Sequence, residues 1–253
     1  NYKIISAFIS PLLLIQAALV KLRTPKLIEP KGERTGKVGD GLKLKLLLLG
    51  DSAAAGVGAD FHDDALIGQV SKFLKNDYKV SWHLDATSGN SSSDLLREVK
   101  QMAAMKSQQY MNVDAVVISI GVNDVTSLAS LNTWKGNIEE SIEILEKELN
   151  ARKIYLSKLP PMHLFPALPH PLRWALGRRA LELDFMINLL SEKRNNCFYV
   201  DAPFSIEPSN MASDGFHPGR SAYCVWGKYL GELIAKDNEQ RLWNSRNKKI
   251  NSK

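Results

Sequence analysis

Two short apolar runs, each closed by glycine and polar residues, limit what this chain can fold into. Leu44–Leu49 (LKLLLL) ends in Gly50, and Val113–Ile120 (VDAVVISI) ends in Gly121. Both are too short for a buried helix, and the second is rich in β-branched residues that favour strands. An apolar run without clear alternation indicates a strand covered on both faces, as in a parallel sheet. Three more segments fit the same role: Val80–Asp85, Ile154–Leu159 and Phe198–Val200. Helical spacing lies between and after them, over about 62–76, Ser92–Lys106, Thr133–Leu149, Leu172–Lys193 and from Pro218 to about Ala235. Five strands alternating with helices predict an α/β protein. Its architecture is a three-layer α/β/α sandwich on a five-stranded parallel sheet, flavodoxin-like and doubly wound.

The flanks of this pattern differ from its centre. Residues 1–23 contain an uncharged apolar segment, Ile4–Val20, of 17 residues. As a helix it would span roughly 25 Å, slightly less than a hydrocarbon core of about 30 Å. No small-x-small cleavage site precedes Lys21, so the segment is expected to stay on the chain as a membrane-associating helix or signal anchor. A helix docked on the protein's own surface is the alternative. Residues 24–41, rich in Pro, Gly and charge, are expected to form a linker. Residues 42–235 are expected to form the single folded α/β domain, and 236–253 a basic tail.

The net charge of +6 is carried by the ends. Residues 1–37 hold seven Lys/Arg against Glu29 and Glu33, and 236–253 hold six against Asp237 and Glu239, leaving the middle acidic. This distribution argues against a nucleic-acid groove across the domain and fits a membrane surface through residues 4–20. A membrane-associated or exported location follows, with the cytoplasmic face an alternative. Cys197 and Cys224 lack metal-type spacing, and their even number allows one disulfide.

Ligands of doubly wound sheets bind beyond the carboxyl ends of the strands. Four loops at that edge carry polar residues: Ser52 in GDS, Gly89 in TSGNSSSD, Asn123 in GVND, and Asp214 with His217 in DGFHPG. The glycines at 50, 56 and 58 fit neither a P-loop nor a dinucleotide fingerprint, and no Lys follows Gly56. Ala54 also breaks the G-x-S-x-G elbow. His62, His83, His163 and His170 lack a comparable setting, and no histidine spacing suggests a metal.

Taken in order, these blocks resemble the SGNH, or GDSL, hydrolase family over roughly residues 44–235. The resemblance implies Ser52 as nucleophile, with His217 and Asp214 completing a Ser-His-Asp triad. It also implies an oxyanion hole from the N–H groups of Ser52 and Gly89 and the amide of Asn123. The implied function is a serine esterase or lipase that cleaves carboxylic acyl esters through an acyl-enzyme, without cofactor or metal. Its partner is a small-molecule or lipid acyl-ester substrate. Family members include esterases, thioesterases, lysophospholipases and sugar deacetylases, so a carbohydrate O-acetyl esterase is the alternative. A flavodoxin-like phosphate-binding module and a membrane-associated pseudoenzyme are alternatives of other classes. The apolar stretch PPMHLFPALPHPLRWALG is expected to form an acyl-binding wall through Met162, Phe165, Leu168 and Trp174.

Overall fold

Alternate residues of β2 (Leu42–Gly50) face opposite sides of the sheet, and each side meets its own helices. The computed structural model describes residues 2–239. Leu47 and Leu49, with Val116 and Ile118 of β4 (Ala115–Ser119), enter one buried cluster. Leu44, Leu46 and Leu48, with Ala115 and Val117, enter the other. The first cluster is closed by α5 (Ser92–Met105), α7 (Leu131–Lys147) and α8 (Leu172–Glu192). In α5 the buried residues Leu95, Val99 and Met102 recur at helical spacing. The second is closed by α4 (Leu66–Leu74) and α9 (Arg220–Asp237). In α9, Tyr223, Trp226, Leu230 and Ile234 recur at helical spacing and turn inward. Each such fully buried leucine is worth roughly 1.5–3 kcal/mol relative to exposure.

The sheet order is β1-β3-β2-β4-β5-β6, with β1 (Thr35–Val38), β3 (Tyr78–Ala86), β5 (Ile154–Ser157) and β6 (Cys197–Val200). The strands from β2 to β6 are parallel, as expected for the α/β class. The five-stranded, all-parallel expectation is corrected by β1, which pairs antiparallel with β3 inside the stretch read as a linker. The reason is that β1 is an edge strand alternating exposed and half-buried residues, so it carries no apolar run. Gly36 also lies under the Trp82 ring, where a Cβ would come within 2.5 Å of it.

Residues 2–23 form two helices, α1 (Tyr2–Phe8) and α2 (Ser10–Arg23), placed against α8. Among the described residues, no helix is long and apolar enough to cross a membrane. The tail expected over 236–253 falls beyond residue 239 for most of its length, outside the described residues. Cys197 is buried on β6, Cys224 is exposed on α9, and both are free, so the disulfide allowed by their number is not formed.

Candidate active site

The strand order reverses at β2: the next strand in sequence, β3, lies on one side and β4 on the other. Such a switch point opens a crevice at the carboxyl edge. The backbone there is fixed by Gly50 opposite Ser119 and by the Asp51 N–H donating to the Ser119 carbonyl at 3.0 Å. Ser52 then opens a single helical turn, α3 (Ser52–Ala55), capped by Asp51, whose Oδ1 accepts the Ala53 N–H at 3.1 Å. Burial pushes the Asp51 carboxyl up to about 6, against the opposing pull of the Ala53 N–H and the His217 ring. The buried Tyr223 hydroxyl reaches the same turn, donating to Val57 O at 2.7 Å with Ala53 O at 3.1 Å.

Asp214 and His217 arrive from the loop before α9. His217 Nε2 lies 2.8 Å from Ser52 Oγ, and His217 Nδ1 lies 2.5 Å from Asp214 Oδ2. The other carboxylate oxygen, Oδ1, accepts the N–H groups of Phe216 at 2.9 Å and His217 at 3.0 Å. Burial works to raise the Asp214 carboxyl, but hydrogen bonds from the His217 ring and from these two N–H groups outweigh it and hold the group below its ordinary range. The loops of Ser52 and His217 meet at Gly58. Its φ is 102°, and a Cβ there would lie 2.3 Å from the Pro218 carbonyl oxygen. Gly58 therefore lets the histidine loop come close to the Ser52 turn.

The second and third loops are joined by Asn90 and Asp124. Gly89 sits at φ 93°, which favours glycine, with open space where a Cβ would be. Next to it, Asn90 Nδ2 donates to Gly50 O at 3.3 Å and to Glu98 Oε1 at 2.9 Å. Asn123 lies on α6 (Val122–Thr126), and its Nδ2 donates to the Asn90 carbonyl at 2.8 Å. The buried Asp124 carboxylate accepts the Ser92 hydroxyl at 2.6 Å and the Ser92 N–H at 2.9 Å. Asn137 of α7 donates to that same hydroxyl at 3.0 Å. Among the described residues, no protein acceptor pairs with the N–H of Ser52 or Gly89.

A cavity of about 200 Å³ opens beside Ser52 and His217 and runs under the carboxyl ends of β4, β5 and β6. Ile120, Leu159, Phe165, Phe204, Phe216 and Trp226 make most of its wall apolar. Its polar margin includes Ser157 and the Lys158–Asp201 pair at 2.8 Å. Gly89 and Asn123 do not line it.

Of the four residues expected to touch an acyl chain, Phe165 lines this cavity. The other three do not line it. Met162 and Leu168 fold inward and fill the core beneath α8, and Trp174 packs edge-on against Tyr2 of α1, with ring centroids 6.4 Å apart. Sequence reasoning missed Asn90, Ser92, Asp124 and Tyr223. Asn90 and Asp124 are each the polar neighbour of a residue already singled out, which is a usable signal. Tyr223 looks in sequence like any inward residue of an amphipathic helix.

Residues 48–224 match the model of the GDSL-like Lipase/Acylhydrolase family. An uncharacterized relative from Mycoplasma pneumoniae is 27% identical over 145 residues, covering 54% of this chain but only 16% of the relative. The chain thus spans about a sixth of that relative's length. Among solved structures, a psychrotrophic esterase from Pseudoalteromonas sp., inhibited by monoethylphosphonate, aligns with 79% of this chain and 98% of its own at TM-score 0.54 and 17% identity. An acetylxylan esterase from Geobacillus stearothermophilus aligns with 77% of this chain and 95% of its own at TM-score 0.53 and 19% identity. A lipase/acylhydrolase from Enterococcus faecalis aligns with 78% and 96% at TM-score 0.55 and 21% identity. At these identities the likeness is one of fold.

Proposed function

The chain belongs to the GDSL-like lipase/acylhydrolase family, and from that premise we propose that it is a serine esterase acting on carboxylic esters of apolar acyl groups. The observation that carries the reading is the continuous line from Asp214 Oδ2 through the His217 ring to Ser52 Oγ, beside an apolar cavity. A serine hydroxyl at neutral pH is a weak nucleophile and needs a base within hydrogen-bond reach. His217 Nε2 takes the Ser52 proton as Oγ attacks the ester carbonyl carbon. The Asp214 carboxylate holds the Nδ1–H tautomer and stabilises the imidazolium that forms.

The carbonyl oxygen then carries the negative charge. Its donors are the N–H groups of Ser52 and Gly89 and the Asn123 amide. Collapse of the tetrahedral species breaks the bond to the alcohol oxygen, which leaves with the proton from His217. Water, deprotonated by His217, attacks the acyl-serine in turn and releases the carboxylic acid. Preorganised donors of this kind cost little reorganisation as charge develops, and loss of one typically lowers turnover ~10²–10³-fold.

The apolar wall favours an acyl chain over a sugar, whose hydroxyls would lose water there without partners. The test is hydrolysis of p-nitrophenyl esters of increasing acyl length, alongside labelling by a fluorophosphonate. Longer acyl chains are expected to outperform acetate, and Ser52→Ala to abolish both turnover and labelling. Full activity in Ser52→Ala would overturn the mechanism. A preference confined to acetate would move the substrate to a carbohydrate O-acetyl ester.

A further inference from the structure

Helices α1 and α2 are amphipathic in the reverse of the usual sense. The residues turned toward the domain recur at intervals of three and four: Tyr2, Ser6, Ile9, Leu13, Gln16 and Val20. Three of these six are polar. The Tyr2 hydroxyl donates to Glu182 at 2.6 Å, while Gln16 donates to the His170 carbonyl at 2.7 Å and accepts the Leu172 N–H at 3.0 Å. The outward face is apolar. Between residues 4 and 20 its only polar side chain is Ser10. Phe8 is 83% exposed and Leu14 is 70% exposed.

A helix docked on a soluble domain normally buries its apolar stripe and wets its polar one. Here the domain satisfies the polar groups of Tyr2 and Gln16, though not the buried Ser6 hydroxyl, and the apolar side chains are presented outward, the arrangement expected where the outer medium is hydrocarbon. The apolar face also continues onto α8. Glu182, the partner of Tyr2, lies between the exposed Leu181 and Phe185.

Charge selects the occupant. No carboxylate occurs before Glu29, while Lys21, Arg23 and Lys26 follow the apolar stretch. Basic residues beside an apolar helix face match anionic lipid headgroups, each adding about five-fold to binding. A second copy of the chain, apposed through the same face, would bring these cations together without acidic partners. We propose that α1 and α2 lie in the plane of an anionic membrane, with Phe8, Leu12, Leu14 and Leu22 immersed and Lys21 and Arg23 at the headgroups. The helices lie along the membrane and do not span it. The chain bends between them at Ile9, and the bonds of Tyr2 and Gln16 hold both against the domain.

The experiment is flotation of the full chain with vesicles of phosphatidylcholine alone or mixed in about equal parts with phosphatidylglycerol. Binding is expected to be strong on the anionic vesicles and weaker on the neutral ones. Lys21→Gln with Arg23→Gln should lower anionic binding by about 10–30-fold and leave neutral binding unchanged. Phe8→Glu with Leu14→Glu should abolish both, while hydrolysis of a soluble ester stays at the wild-type rate and shows that the domain is folded. Equal flotation of wild type and Phe8→Glu/Leu14→Glu would overturn the proposal. So would a stable dimer in sedimentation velocity without vesicle binding, or retention in the membrane after alkaline carbonate extraction, which marks a spanning segment.

Discussion

Asn123 Nδ2 donates to the backbone carbonyl of Asn90 at 2.8 Å, so the side chain of one loop is oriented by the main chain of another. An amide nitrogen has two hydrogens, and fixing one fixes the direction of the other. On the proposed mechanism, Asn123→Ala removes an oxyanion donor and this tie together. We expect kcat to fall ~10²–10³-fold with KM little changed, measured on one p-nitrophenyl ester. A change confined to KM would make Asn123 a ground-state binder.

Asp214 gives a prediction in two readouts. Its folded pKa lies below the unfolded value, so the ionised form contributes stability above the ordinary carboxylate range. That contribution is lost as pH falls through the depressed folded value. Asp214→Asn should therefore be less stable than wild type at neutral pH, the gap closing in acid below about pH 3–4. It should also lower kcat by up to ~10⁴-fold, because the amide no longer enforces the correct imidazole tautomer. A stability gap that persists undiminished in acid would contradict the linkage.

Much of this site can be read in the sequence because the loops of Ser52, Gly89 and Asn123 directly follow strands, while Asp214 and His217 lie in the long loop between β6 and α9. Leu44–Leu49 and Val113–Ile120 are buried on both faces, so apolarity alone locates them, and the parallel topology brings their ends to one edge. Thr35–Val38 escaped the same reading because an edge strand with one wet face has no apolar run. Met162, Leu168 and Trp174 show a different limit of sequence reading. An apolar loop residue reads the same in sequence whether it faces a ligand or the core, and here the core takes Met162 and Leu168. The ties of Asn123 to Asn90 and of Ser92 to Asp124 join partners 33 and 32 positions apart, which no local pattern encodes.

Gly58 should be intolerant of a side chain. A Cβ would meet the backbone oxygen of Pro218, next to His217, and the φ of 102° disfavours other residues. Gly58→Ala is expected to push the histidine loop away from Ser52. Turnover should fall at least ~10²-fold, since misplacements of about 1 Å are costly in catalysis. Comparable activity in Gly58→Ala would mean that the two loops do not depend on this contact for their spacing.

Gly136 offers the opposite case. It lies exposed inside α7, with nothing within 4 Å of an added Cβ. Gly136→Ala should stabilise the protein by about 0.5–1 kcal/mol through helix propensity and reduced unfolded-state entropy, with activity unchanged. Denaturant midpoints on matched samples test this, and a lower midpoint would exclude it.

Asp51 links stability to the chemistry most directly. Its carboxyl is raised to about 6 by burial, above the unfolded value of 3.8, so between these limits the folded state binds more protons than the unfolded chain. Stability must then fall as pH rises from about 4 to about 6, and level off above, with a cost on the order of 3 kcal/mol at neutral pH. The neutral Asp51→Asn side chain can still accept the Ala53 N–H. It should match wild type near pH 4 and become progressively more stable toward pH 7. The same substitution removes a negative charge that interacts favourably with the His217 ring when that ring is protonated. Turnover should therefore fall while the melting temperature rises, a trade of activity for stability. Urea unfolding of both proteins across this pH range, with kcat measured alongside, tests the pair of effects. Parallel stability curves at every pH would show that the Asp51 carboxyl has the same pKa in the folded and unfolded chain, and would overturn the linkage.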